Sequence, residues 1–414
     1  MKIYDLIVIG AGPAGILAAG RAAADGANVL LLEKMRQEGR KLLITGKGRC
    51  NITNDAGQSE FMSHIYPNGR FLKHAFSSFF SKDILALLSE YGLEAVLERG
   101  GRYFPATDKS ADVLKALLNW LKTNKVEVRC GVRVQKLLAK DNIIYGVETE
   151  AGVFHAASVV VATGGKSYPA TGSNGEGYEL AKQLGHSILK PTPALVPLET
   201  EGDLAMKLQG LNLRNVNAVL WIDGKKAGES FGEMIFTHFG LSGPIILTLS
   251  RFAVRALEEK RSVELRIDLK PALDEQKLDQ RLLRDLNEHG KKKVGNIFGH
   301  WLPSSMVPVF LDLLSIDPEK ECHQLGANER KKIRYLLKNL NFKISKHRSF
   351  KEAIITAGGI PTSEISAKTM ESKLVKGLYF AGEIIDLDAE TGGYNLQIAY
   401  STGWLAGESV RKNS

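Results

Sequence analysis

Cysteine is scarce in this chain of 414 residues: there are three, Cys50, Cys130 and Cys322, scattered and odd in number. That argues against a disulfide scaffold and against a cysteine-built zinc site. No apolar run reaches 18 residues, so no membrane span is expected. The chain enters its first apolar run almost at once, with no signal-peptide pattern ahead of it, and the expectation is a cytoplasmic protein. Internal repeats and low-complexity stretches are absent too. Apolar residues make up 44% and charged residues 24%, which places the chain among ordinary globular proteins. Its length exceeds what one core usually holds, so two or three domains are expected.

What is present is concentrated in the first thirty-odd residues. The apolar run at 6–9 reads as a buried parallel strand. Gly10, Gly12 and Gly15 follow in Gly-x-Gly-x-x-Gly spacing and open an alanine-rich helix at 14–25. A second apolar run, 29–32, ends in Glu33. Each part has a physical task. Gly10 permits the tight strand-to-helix turn, Gly12 carries no side chain to block a pyrophosphate, and Gly15 lets helix and sheet approach closely. The helix start offers free N–H groups and a positive dipole end to phosphate. Glu33 at the second strand's tip can accept both ribose hydroxyls and disfavours a 2′-phosphate, so the expected ligand is FAD or NAD rather than NADP. No second Gly-x-Gly-x-x-Gly occurs, so no dedicated NADH domain is expected.

Residues 34–54 are too basic and too glycine-rich for core. They read as a loop over a cofactor, with Gly46 and Gly48 allowing close backbone approach. Lys34, Arg40, Lys41 and Arg49 could meet phosphate or a flavin carbonyl; the plainer alternative is a solvated basic loop. Helices are expected at 84–91 and 111–123, then short strands at 127–129, 132–138 (containing Val134), 143–149 and 152–155. The run at 157–162 ends in Thr163, Gly164 and Gly165, a second buried strand whose end faces the first glycine turn. A further glycine turn opens a helix at 179–184. Pro191, Pro193 and Pro197 mark a boundary. Beyond it come alternating segments and a helix start at Ser242 and Pro244, then a mainly helical stretch. From 350 the chain returns to the first domain.

The formal charge is +9, and the segment 290–351 holds thirteen Lys and Arg against five acids, a surplus of eight. A solvated lysine face is one reading. A surface for nucleic acid or another polyanion is the other.

Taken together these pieces resemble the FAD pattern of the two-dinucleotide-binding flavoproteins: the glycine turn with Glu33, then Ala162-Thr163-Gly164-Gly165, then Tyr379-Phe380-Ala381-Gly382-Glu383 with Asp386. More narrowly, four stretches resemble the BaiN/RdsA (YhiN-like) family. These are Gly39-Arg40-Lys41-Leu42-Leu43-Ile44-Thr45-Gly46-Lys47-Gly48-Arg49-Cys50-Asn51, Phe236-Thr237-His238-Phe239-Gly240-Leu241-Ser242-Gly243-Pro244, Thr369-Met370-Glu371-Ser372-Lys373 and Thr391-Gly392-Gly393-Tyr394-Asn395. Lys47 departs from the pattern, which has glycine there. The resemblance implies an α/β fold with a discontinuous Rossmann-like FAD domain at 1–193 and 345–414. It implies an insert of a β-barrel-like part at 194–273 and a basic, mainly helical part at 274–344.

The same resemblance implies flavin-mediated reduction, on ribosomal RNA or on a small molecule, with NADH as electron donor. It places Gly10, Gly12, Ala14, Gly15, Glu33, Lys34, Arg40, Lys41, Gly48, Arg49, Cys50, Val134, Thr163, Gly164, Gly165, Gly382, Glu383, Asp386, Gly393, Asn395, Leu396 and Gln397 around FAD, the last helix start facing the flavin N1/O2 edge. Saturating a conjugated C=C also needs a proton donor opposite flavin N5. Cys50, His238 and Tyr394 are the candidates, each weighed against a purely structural role. Three functions are expected to compete: reduction of uridine in ribosomal RNA through the basic segment 290–351, small-molecule enone reduction or amine oxidation, and RNA binding without turnover.

Overall fold

Leu6, Ile7 and Val8 are wholly buried because their strand, β1 (Ile3–Ile9), has a parallel neighbour on each side. The computed structural model describes residues 2–410. It divides into two units, Met1–Ala194 with Phe350–Ser414, and Leu195–Ser349. In the first, β1 leads through α1 (Pro13–Ala24) to β2 (Val29–Glu33). Then come α2 (Arg40–Ile44), β3 (Thr53–Asn54), β4 (Ile65–Tyr66) and α3 (Ser110–Thr123). The chain continues through β5 (Glu127–Cys130), β6 (Val134–Lys140), β7 (Ile143–Thr149), β8 (Gly152–Val161), α4 (Glu176–Lys182) and β9 (Leu189–Ala194). The sheet order is β5-β2-β1-β8-β7-β6. The start of β8 pairs antiparallel with β7 while its end runs parallel to β1. One long strand therefore serves both the meander and the nucleotide-type sheet.

Two local expectations change. Residues 34–54 are not all loop, because α2 and a following 3-10 turn, Thr45–Gly48, lie within them. Gly39 in the left-handed region starts α2, and Leu42 buries its apolar face. The glycine-turn helix begins at Glu176 because Gly175, also left-handed, caps it.

The second unit contains β10 (Leu198–Thr200), β11 (Asn212–Ile222), β12 (Lys225–Phe236), β13 (Gly240–Ser242), α5 (Pro244–Glu258) and β14 (Val263–Asp268). After these come α6 (Glu275–Glu288), α7 (Val294–Trp301), α8 (Val307–Leu314), α9 (Ala327–Lys338) and β15 (Leu340–His347). Its strands close a barrel, β10-β13-β12-β11-β14-β15, around a core of its own. The N-cap of α5 is Gly243, not Ser242. A side chain at 243 would lie 2.8 Å from the Met234 Cα, so the strand leaves room for glycine alone. The end of the basic segment is a strand rather than a helix. Leu340, Phe342 and Ile344 alternate inward, and β15 pairs with β14 and β10.

Back in the first unit, β16 (Ile355–Gly359) pairs with β9. The strand β17 (Leu378–Phe380) joins β8 in parallel, and β18 (Asp388–Ala389) pairs with β4. The final helix, α10 (Tyr394–Val410), crosses α1 at close range. A Cβ on Gly403 would stand 2.2 Å from the Ala14 carbonyl oxygen, and one on Gly407 2.3 Å from that of Ala18. The paired small residues bring both helix starts to the same end of the sheet.

Candidate functional site

The site grows from the C-terminal end of β1. Gly10 has φ +100°, its N–H donates to the Leu32 carbonyl at 2.8 Å, and a Cβ there would meet the Ala162 carbonyl oxygen at 2.6 Å. A Cβ at Gly15 would come within 1.8 Å of the Gly10 oxygen, so the helix is pressed against the turn. Gly12 differs: nothing lies within 4 Å of where its Cβ would be. Its face is open, beside the first-turn N–H groups of Ala14 and Gly15 at the start of α1, which is where a phosphate binds best. Glu33 is fixed by two backbone donors. Ala11 N–H reaches Oε2 and Met35 N–H reaches Oε1, both at 2.8 Å. Each oxygen keeps a lone pair for a hydroxyl. Beside it, Val132 N–H donates to the Glu33 carbonyl at 2.9 Å. The Val134 side chain is buried in the core, so residue 134 can offer a ligand only its backbone.

The second turn, at the end of β8, packs onto the first. Ala162 N–H donates to the Ile9 carbonyl at 2.9 Å. Gly164 (φ +72°) lies against Ser173, and Gly165 against Thr356 and Glu383. The hydroxyls of Thr163 and Tyr178 are buried here without a partner. Burial, and then the charges of Glu383 and Asp386, hold the Tyr178 hydroxyl well above the usual phenol range. Asp386 is buried and donates its N–H to the Ile360 carbonyl at 2.8 Å. Orphaned buried hydroxyls are rare and call for a partner.

The basic loop is largely committed elsewhere. Lys41 Nζ donates to Glu383 Oε2 and to Ser167 Oγ, both at 2.6 Å, while Glu383 Oε1 accepts from Ser167 Oγ and Thr356 N–H. That hub ties four segments together, and Lys41 is a brace rather than a free phosphate cation. Arg49 is likewise bound by Glu98 and Asp108 and stacks on Phe104, 4.1 Å from the ring centre. Lys34 donates to Asn174 at 2.7 Å and pairs with Glu176 at 3.2 Å. Arg36, Arg40 and Lys47 form no ion pair among the described residues. Gly48 is left-handed (φ +88°) with nothing near its would-be Cβ.

At the start of α10, Gly393 (φ +96°) is the residue that fits: a Cβ would stand 2.5 Å from the Thr53 carbonyl. Asn54 Nδ2 donates to the Gly392 carbonyl at 2.9 Å. Asn395 spends its amide on the chain, accepting from Ala389 N–H at 2.9 Å and donating to the Ala389 carbonyl at 2.8 Å. Gln397 is buried between Thr53 (2.7 Å) and Ser401 (2.9 Å). These side chains fix the helix start and are not ligand groups. The N–H groups of Asn395 and Leu396 lie in the helix's first turn, where no intrahelical carbonyl is available to accept them. Gly382, left-handed and donating to Thr402 Oγ1 at 2.9 Å, sits between the two helices.

The proton-donor candidates fare differently. Cys50 is 0% exposed and burial pushes its thiol up to about 12, so it has neither surface nor acidity for a substrate. That expectation is corrected: the thiol is core. Tyr394 stacks on His64 at 4.7 Å and meets Phe61 edge-on at 4.5 Å. Its hydroxyl is pushed up to about 12 by burial and by Glu60 and Glu390, and it is a packing residue. His238 is exposed on the barrel turn Thr237–Gly240, in the second unit, with its ring edge-on to Phe239 at 4.9 Å. Sequence reasoning missed Thr53, Asn54, Thr356 and Tyr178; buried polar residues carry no periodic signal. The spacing Gly403-x-x-x-Gly407 was the available clue to the helix crossing.

The open face at Gly12, the N–H groups of two helix starts and the carboxylate of Glu33 fit an elongated dinucleotide with a pyrophosphate at its centre. FAD meets that description. No group of His, Cys, Asp and Glu among the described residues could hold a metal ion. No described helix is long and apolar enough to cross a membrane.

Comparison with known proteins agrees with this geometry. The family model described as HI0933-like protein Rossmann domain matches residues 4–409. The chain is 32% identical over 407 residues to the 3-dehydro-bile acid delta(4,6)-reductase of Clostridium scindens, covering 97% of this chain and 98% of that one. It is 30% identical over 411 residues to the ribosomal RNA dihydrouridine synthase of Escherichia coli K12, covering 99% and 98%. Among solved structures, it is similar to the 3-ketosteroid delta1-dehydrogenase of Sterolibacterium denitrificans with TM-score 0.51 at 13% identity, all of both chains being covered. At that identity the likeness concerns the fold alone.

Proposed function

We propose that this chain, which belongs to the HI0933-like Rossmann-domain family and is an FAD-dependent oxidoreductase, reduces uridine in ribosomal RNA to dihydrouridine with NADH as electron donor. The observation that carries the reading is similarity over nearly the whole chain to two proteins whose names both denote saturation of a carbon–carbon double bond. When bound, FAD supplies two-electron chemistry, taking hydride from NADH and delivering it to a conjugated C=C. Uridine, NADH and one proton give dihydrouridine and NAD⁺; uracil C6 takes the hydride and C5 the proton.

The chain's residues do the rest. Gly12 leaves room for the pyrophosphate, and the α1 start draws its charge. Glu33 holds the ribose hydroxyls through its remaining lone pairs. The N–H groups of Asn395 and Leu396, at a helix start, would stabilise negative charge on a reduced flavin. Arg40 is an uncommitted cation of the basic loop that could meet phosphate. Cys50 and Tyr394 are set aside as proton donors to C5. The base must leave its stack to be reached.

One observation favours a second reading, a small-molecule enone reductase: the bile-acid enzyme is as similar as the RNA enzyme. Purified FAD-loaded protein, given NADH, separates them. Dihydrouridine in a ribosomal RNA fragment, read by mass spectrometry of nucleosides, is the expected result. Rapid turnover of a 3-keto-4,6-diene steroid with no dihydrouridine formed would sink the RNA reading and favour the other.

A further inference from the structure

The thirteen cations of the basic segment are not equivalent once their partners are known. Arg330 and Arg334 both bind Asp279 of α6 at 3.1 Å, Lys338 binds Asp268 of β14 at 2.5 Å, and Lys320 holds Glu329 at 2.8 Å. Lys293 pairs with Glu319, and Arg348 with Glu199 at 2.8 Å. These charges hold the second unit together. Lys291, Lys292, Lys331, Lys332, Lys343 and Lys346 differ: all are exposed and none has an ion pair among the described residues, and of these only Lys331 and Lys332 stand on a helix, α9. Glu329, three positions before Lys332, is taken by Lys320 and by the Gly326 N–H.

Helical spacing sorts α9 into two faces. Ile333 and Leu337 are wholly buried, and Arg330 and Arg334 flank them on Asp279. Asn328, Lys331, Lys332 and Tyr335 recur three to four positions apart and face outward. Tyr335 is 56% exposed, one turn beyond both lysines, with no hydrogen bond to its hydroxyl among the described residues. A helix clamped on its inner side thus presents two uncompensated positive charges around an open aromatic ring.

We propose that this outer face of α9 is an RNA-contact surface, with Lys331 and Lys332 on phosphates and Tyr335 stacked on an unpaired base. It rests on the reading of RNA as the substrate and picks out, among the unpaired lysines of the segment 290–351, the two that share a helix with an exposed aromatic ring. Unpaired lysines supply the salt-dependent share of nucleic-acid affinity, and an exposed aromatic ring supplies a sequence-tolerant platform for a base. An acidic protein partner would use the lysines but leave the ring's stacking face without a role.

The test uses the FAD-loaded full chain and a ribosomal RNA fragment, with binding followed by fluorescence anisotropy across salt concentrations. The double variant Lys331→Ala/Lys332→Ala should lower the slope of log K against log salt by about 1.4, two single-strand phosphate contacts. Tyr335→Ala should weaken binding about tenfold with the slope unchanged, and Tyr335→Phe should bind within about twofold of wild type. Flavin content and flavin bleaching by NADH should stay at wild-type level in all three. If the wild type forms dihydrouridine and the double variant keeps its slope, its affinity and its KM for RNA, the α9 assignment falls and the substrate reading stands. If the wild type neither binds RNA nor modifies it, both fall.

Discussion

The cofactor cradle and the insert solve recognition in opposite ways. In the proposed cradle the groups left for a ligand are mostly backbone N–H, set in turns whose glycines at 10, 15 and 393 leave no room for a side chain. Its polar side chains, Asn395, Gln397, Thr53 and Glu383, face inward and brace that backbone. On the insert, the proposed contact surface is made of side chains on the outer face of a clamped helix, Lys331, Lys332 and Tyr335. The lesson is one of tolerance. A backbone site is fixed by sterics and fails when any brace is removed. A side-chain surface can lose a residue without losing its fold.

The largest expected effect breaks the cradle outright. Gly403→Val drives a branched side chain into the Ala14 carbonyl, 2.2 Å from where its Cβ must go, and should cost more than about 4 kcal/mol. Gly12→Ala meets no atom and should leave the melting temperature unchanged. Thermal melts of the two variants check the contrast, and equal Tm values would contradict it.

The brace at Glu383 comes next. Its ion pair with Lys41 is mostly buried, the side chains being 12% and 21% exposed. Glu383→Gln strands the lysine and should cost about 2 kcal/mol after allowance for residual solvent, measurable by urea unfolding. Lys331→Ala on the insert should cost nothing by the same assay.

A pH effect sharpens the contrast further. His186 is buried, with Nδ1 2.8 Å from Glu364 and Nε2 2.8 Å from Ser372 Oγ. That hydroxyl already accepts from Leu374 and Val375 N–H, so its proton points at Nε2 and the ring is neutral. Burial lowers the imidazole pKa, and Glu364 only partly offsets this. The unfolded chain therefore binds a proton first as pH falls below about 6.5, and folded stability declines from there down to the folded-state pKa. His186→Gln should flatten that decline in Tm measured from pH 7.5 to 5.5; an unchanged slope would contradict it.

The smallest effect concerns Lys47, which sits at φ +58° where the family pattern has glycine. Lys47→Gly should stabilise the fold by about 0.5 kcal/mol, the relief of left-handed strain less glycine's added chain entropy.

Legibility in the sequence followed the same division. Gly10, Gly12, Gly15 and Glu33 were readable because each position has one steric or charge solution. The strand β15 was not, since its alternation is short and lies inside a lysine-rich run. The burial of Cys50 was hidden for a similar reason: a left-handed turn at 46–50 folds the thiol inward, and nothing in a basic, glycine-rich stretch announces that. Lys41 and Arg49 looked free because their acids, Glu383, Glu98 and Asp108, are far away in sequence.

The most direct test of the central claim is the dihydrouridine content of ribosomal RNA from cells with and without this gene. Deletion should remove a dihydrouridine. Wild type should restore it, and Gly12→Asp, which places a carboxylate in the open phosphate site without disturbing the fold, should not. An unchanged dihydrouridine level on deletion would contradict the account.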